Sequence, residues 1–149
     1  MTEALLMYAA RRDHLVRTVW PALACGEWVL CDRFEDSTRA YQGAGSGLDR
    51  NVIDALGTVA RGSFAPDLTL ILDLPVAAGR ARAAARRGVN DRFEQRDDGF
   101  HERVRQGFLA VAAAEPGRCA IIDAGQSQDA VTAAITQTIE QRLGLSLPT

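Results

Sequence analysis

The segment Leu68-Thr69-Leu70-Ile71-Leu72-Asp73-Leu74 is apolar along nearly all its length and is bounded by Pro66-Asp67 and Pro75. A strand with one wet face alternates apolar and polar residues, so this continuous run suits a parallel strand covered on both faces. Parallel strands need crossover connections, usually helices, and the flanking sequence supplies candidates. Val76 to Arg87 reads as an alanine- and arginine-rich helix ended by Gly88, and a polar connection follows from Val89 to Arg96. A second helix is expected from Asp98 to Ala114, a turn at Pro116-Gly117, a short strand from Cys119 to Ile122 and a closing helix from Ala130 to Leu143.

Upstream, Leu5, Tyr8, Leu15, Val19 and other apolar residues recur at helical spacing from Glu3 to Leu23, and Cys25-Gly26 breaks the pattern. Trp28-Val29-Leu30-Cys31 then fits a buried strand ending at Asp32-Arg33. A short helix from Ser37 to Gln42 leads into the glycine-rich loop Gly43 to Gly47, and Asp49 is placed to cap a helix reaching Arg61. Strands alternating with helices imply an α/β fold with a doubly wound parallel sheet. Three short strands are few where about five or six are ordinary, so strands are expected to be missing on the N-terminal side.

The 149 residues fit one domain, and 47% apolar with 24% charged residues is the balance of a globular protein. No apolar run is long enough for a transmembrane helix, and the first residues are not a secretory signal, so a cytoplasmic location is expected. Cys25, Cys31 and Cys119 contain no C-x-x-C pair and are expected to be buried free thiols. All 17 basic residues are arginine and none is lysine. A net charge of −2 argues against a general nucleic-acid surface, although a local arginine cluster could still face a phosphate. No residue is assigned to a metal.

Ligands of open α/β sheets bind beyond the carboxyl ends of the strands, where Asp32-Arg33 is expected to fall. An arginine there can grip a phosphate while the neighbouring aspartate orients it or holds a magnesium-bound water. By itself the pair also fits a surface salt bridge. The longer stretch from Asp32 through Arg33, Phe34, Ser37, Thr38, Ala40, Tyr41 and Gln42 to Gly43 resembles the signature of thymidylate kinases. In that family a strand ends in Asp-Arg, an aromatic or His follows, and Ser-x-x-Ala-Tyr-Gln-Gly opens a substrate-binding helix. Arg39 occupies an x position and is expected to be solvated.

The resemblance extends in both directions. Glu3 to Arg11 is similar to the family's preceding helix, whose aromatic residue stacks on thymine and whose arginine four residues later contacts the nucleotide. Met7 holds the stacking position and Arg11 the arginine, one helix face apart by a single turn, while Tyr8 would point elsewhere. Met7 also suits a core position, since Met commonly fills core gaps. The segment from about 86 to 96, with Arg86, Arg87 and Asp91-Arg92-Phe93-Glu94, resembles the lid of bacterial members, whose basic residues close over the ATP phosphates. Asp123 and Gly125, after the last strand, resemble the loop bordering adenine. Asp32, Arg33, Arg87 and Arg92 are thus the implied catalytic residues. Met7, Arg11, Arg33, Ser37, Thr38, Tyr41 and Gln42 are implied to bind dTMP, and Arg86, Arg87, Asp123 and Gly125 to bind ATP.

The resemblance implies phosphorylation of dTMP to dTDP in dTTP biosynthesis, with ATP as co-substrate, Mg2+ and a homodimer of the complete protein. Yet the sequence contains no G-x-x-x-x-G-K-[ST] run, whose backbone amides and lysine would hold the ATP phosphates. The expectation is a single thymidylate-kinase-like domain over 1–149, incomplete at its N-terminus and inactive as it stands. A non-catalytic dTMP-binding protein or pseudokinase is the alternative, and another nucleotide or nucleoside kinase is a further one on fold alone. The DNA directly upstream of the first codon discriminates between a partial kinase and a pseudokinase.

Overall fold

A computed structural model describes residues 1–85 and 97–146. The chain divides into two units, Met1–Ala65 and Pro66–Thr149.

In the first unit, helix α1 (Thr2–His14) runs through a π-helical turn, Leu15–Val19, into α2 (Trp20–Ala24). The widened turn has a local cause. Pro21 has no N–H to give, and its ring would press on the carbonyl one turn earlier, which the wider turn relieves. Gly26, at φ 76°, stops the helix as expected. Helix α3 (Glu35–Thr38) continues as a π-helical segment, Arg39–Gly45, and α4 spans Arg50–Arg61. The Asp49 carboxylate accepts from the Asn51 amide at 2.7 Å and so starts α4, while Gly62 at φ 62° ends it.

Helix α1 packs on α4 through a small core of Tyr8, Ile53 and Ala60, with Leu48 and Leu56 against it. The Tyr8 hydroxyl donates to the Ile53 carbonyl at 3.0 Å, and Arg12 donates to the Ala60 carbonyl at 3.3 Å. Burial first, and then the nearby Glu35 charge, push the Tyr8 pKa up to about 12, so the hydroxyl remains a donor at any ordinary pH.

Trp28 to Cys31 does not form a buried strand: Trp28 is 71% and Leu30 100% exposed. A strand exists through its ladder, and among the described residues none pairs with this run. Only Cys119 is a buried thiol, whereas Cys25 and Cys31 are exposed. Cys25 sits where α2 ends and Cys31 belongs to the unpaired run, so neither is carried into a core.

In the second unit, β1 (Thr69–Asp73) pairs in parallel with β2 (Cys119–Asp123), with Thr69 opposite Cys119 and Asp73 opposite Asp123. Helices α5 (Val76–Ala85) and α6 (Asp98–Ala114) lie between the strands in sequence, and α7 (Gln128–Leu143) follows. Ile71 and Cys119 bury against Val111, Ala112 and Phe108 of α6. Ile122, facing the other way, is also buried, but Leu72 and Ile121 remain half exposed. Each face of this two-stranded sheet is therefore only partly covered. Arg118 joins the start of the ladder by donating to Glu115 and to Thr69, both at 2.8 Å, and Arg142 of α7 donates to the Pro116 carbonyl at 3.0 Å.

The Asp73 carboxylate at the end of β1 takes a two-pronged bond from Arg105 of α6, at 2.8 and 2.9 Å. That bond holds the carboxyl pKa below its ordinary value. A depressed folded-state pKa gives stability that is fully present above the unfolded value, about 3.9, and is lost as pH falls through the lower folded value. Asp73→Asn is expected to lower the melting midpoint at about neutral pH and to converge with the parent in acid. Identical midpoints at neutral pH would contradict the bridge's contribution.

Candidate functional site

Arg33 adopts φ 66°, the only positive φ at a non-glycine residue among those described. A left-handed arginine is costly and persists only where its surroundings over-determine it. Its guanidinium carbon lies over the Tyr41 ring, 5.1 Å from the centroid, so the exposed head is aimed by an aromatic platform. Asp32, beside it, is exposed.

Arg11 reaches the same turn from α1. Its Nη2 donates to the Phe34 carbonyl at 3.1 Å and to the Thr38 hydroxyl at 2.9 Å. The guanidinium also lies 4.8 Å from the Tyr8 ring centroid and 5.3 Å from that of Phe34. Burial lowers its pKa from the ordinary value, with Tyr8 and Glu35 acting the other way. The other terminal nitrogen, Nη1, is buried and has no hydrogen-bond partner. A buried donor of this kind is costly to leave unmade.

The remaining residues singled out in this unit occupy three settings. Thr38 is buried as the acceptor for Arg11, with Ser37 half-buried before it on α3. Gln42 is buried and its amide nitrogen donates to Glu3 at 2.7 Å, which fixes the helix carrying Tyr41 to α1. Met7 is 44% exposed, outside the core that takes Tyr8, so α1 does separate these neighbours as the spacing suggested. The structure thus brings Arg11 to Thr38 and Arg33 to Tyr41.

Sequence reasoning missed a second layer. Glu35 is 4% exposed and ion-paired to Arg61 of α4 through Nε, while Arg61 Nη2 lies 3.4 Å from the other carboxylate oxygen. Arg39 stands 3.6 Å from Glu35 and 3.3 Å from Asp54, so it is a half-buried, paired residue and not the solvated one expected. Gly57 makes room for this arrangement, because a Cβ there would collide with the Glu35 carboxylate. A glycine inside an otherwise sound helix was the available signal.

In the second unit Asp123, at the end of β2, accepts from the Gly125 amide at 2.8 Å and from Gln126 at 3.3 Å. A Cβ at Gly125 would come within 2.9 Å of that carboxylate, so both residues are used in closing their own turn. Arg82 holds the neighbouring Ala124 carbonyl at 2.8 Å. Arg86, Arg87 and Arg92, with the rest of the expected lid, lie outside the described residues.

The family model described as thymidylate kinase matches residues 1–135. Among curated proteins, a thymidylate kinase of Caulobacter vibrioides is 57% identical over 145 residues, covering 97% of this chain and 69% of the relative. One from Alkalilimnicola ehrlichii is 52% identical over 138 residues, covering 93% of this chain and 64% of the relative. The crystal structure of thymidylate kinase from Ehrlichia chaffeensis superposes with a TM-score of 0.73 at 30% identity, covering 93% of this chain and 65% of that one. The chain therefore spans about two thirds of the length of the proteins it resembles.

Proposed function

The chain belongs to the thymidylate kinase family and has its α/β, P-loop kinase fold, and on that footing we propose that Met1–Ala65 carries the acceptor side of an ATP-dependent phosphorylation of dTMP to dTDP. The observation that supports this reading most is the Arg11 clamp. A partly buried guanidinium whose Nη2 is spoken for by Phe34 and Thr38 and whose buried Nη1 is unpartnered lies beside the turn that presents Arg33. Arg33 supplies a permanent positive charge for the acceptor 5′-phosphate and Arg11 a directed donor for the nucleotide. Tyr41 aims Arg33, Gln42 holds that helix in place, and exposed Met7 offers a polarizable surface to a base ring. Asp32 is placed next to Arg33 to orient it, and Ser37 shares the short helix with Thr38.

ATP is the family's co-substrate and Mg2+ its usual metal. The residues here do not by themselves build that half: there is no lysine or phosphate loop in the sequence, and no three His, Cys, Asp or Glu side chains converge among the described residues. Arg86, Arg87 and Arg92 are proposed to meet the ATP phosphates, and Asp123 with Gly125 to shape the loop beside adenine. A homodimer and a cytoplasmic location are proposed for the complete protein; no helix among the described residues is long and apolar enough to cross a membrane.

The test is calorimetric titration of the folded 149-residue chain with dTMP and with thymidine. Phosphate-to-arginine contacts are expected to make dTMP bind at least about tenfold tighter than thymidine. Equal affinities, or no dTMP binding, would reject the reading.

A further inference from the structure

Beyond the arginines that would meet substrate, the first unit contains a buried anion with no role in the acceptor site as proposed. Glu35 starts α3 two residues after the left-handed Arg33 and is 4% exposed. Its carboxylate is held from α4 by Arg61, whose Nη1 also donates to the carbonyls of Gly62 at 3.0 Å and Phe64 at 2.9 Å. Phe64 in turn meets the Phe34 ring edge-on, with centroids 6.0 Å apart. The backbone leaving Arg33 is thus gripped at three successive points: the Phe34 ring by Phe64, the Phe34 carbonyl by Arg11, and the Glu35 side chain by Arg61.

A buried carboxylate is expensive to keep unless it is paired, and simple packing would be served as well by an apolar side chain. Its location explains its use. A non-glycine residue stays at positive φ only when its flanks are fixed, and the Glu35–Arg61 bridge fixes the flank on the C-terminal side. We infer that Glu35 is a positioning residue: through Arg61 it locks the turn that aims Arg33, and so sets affinity for the phosphate of the nucleotide without touching it. Gly57 is part of the same device, since only a residue without a side chain lets the carboxylate lie against α4. The inference rests on the proposed acceptor role of Arg33.

A double-mutant cycle on the 149-residue chain separates this role from plain stability, with folding checked by circular dichroism and both dTMP and thymidine titrated. Glu35→Gln is expected to weaken dTMP binding about tenfold while leaving thymidine within about twofold, because only the phosphate contact depends on Arg33. In an Arg33→Ala background the same change is expected to add less than about twofold, since the residue it positions is gone. Gly57→Ala, which displaces the carboxylate without changing any charge and favours the helix, should reproduce Glu35→Gln if that variant folds poorly. Equal losses for dTMP and thymidine, or multiplicative losses in the double variant, would overturn the positioning role. Should Arg33→Ala bind dTMP like the parent, or the folded parent bind no dTMP, the acceptor-site reading falls and this inference with it. A normal loss in Arg33→Ala with none in Glu35→Gln removes the inference alone.

Discussion

Arg33→Ala is expected to lower kcat/KM for dTMP by about ten- to a hundredfold when measured in a kinase completed with the segment that its relatives carry, as follows from the 1.5–3 kcal/mol typical of a hydrogen bond to a charged group. Alanine shares the penalty that arginine pays at φ 66°, so the comparison isolates the guanidinium. Arg33→Gly makes the complementary test. Glycine takes that backbone conformation without steric cost, so its melting midpoint should exceed that of Arg33→Ala while its loss of dTMP turnover is the same. Arg50, an exposed residue of α4 paired with Asp54, is the control and should change neither quantity measurably. Arg39→Ala should act on stability first, because its partners are the buried Glu35 and the partly exposed Asp54. Parental kcat/KM in Arg33→Ala would remove Arg33 from the acceptor site.

The second expected result is that the 149 residues alone give no ADP from dTMP, ATP and magnesium, against the roughly 1 s⁻¹ at the low end for kinases. Phosphoryl transfer depends on holding both substrates in line and neutralising charge on the transferred group. These residues contain the arginines proposed for the acceptor but no lysine and no phosphate loop for the donor. Binding of dTMP should survive, so a chain that titrates with dTMP yet turns nothing over fits the proposal. Completion with a relative's remaining segment should restore turnover if the chain is part of a kinase, and should fail if it is a non-catalytic dTMP-binding protein. Turnover near the ordinary rate by the 149 residues themselves would show that the donor half has been misread.

Much of the chain was legible because local rules agreed with one another. The helix ending at Arg61, the strand around Ile71 and the helix from Asp98 to Ala114 each combine a periodic apolar face or a continuous apolar run with a stop signal beside it. Where the signal was local and the outcome non-local, it failed. Trp28 to Cys31 has strand composition, but pairing is a property of two segments and composition specifies only one of them. Arg39 sits at a position that looked free to vary, yet Asp54, 15 residues on in α4, closes on it together with Glu35 one helical turn earlier.

The sequence by itself determined most of the helices, the two strands that pair, and the family, because these depend on spacing and side-chain chemistry along the chain. Only the tertiary structure decided that Arg11 spends one donor on Phe34 and Thr38 and keeps another unpartnered, that Arg33 is left-handed over Tyr41, and that Glu35 is buried against Arg61 across a gap kept by Gly57. Each of these relations joins residues far apart in sequence or fixes a backbone angle from outside. Desolvation and ion pairing act through distance in space, and no pattern along a single chain encodes that distance.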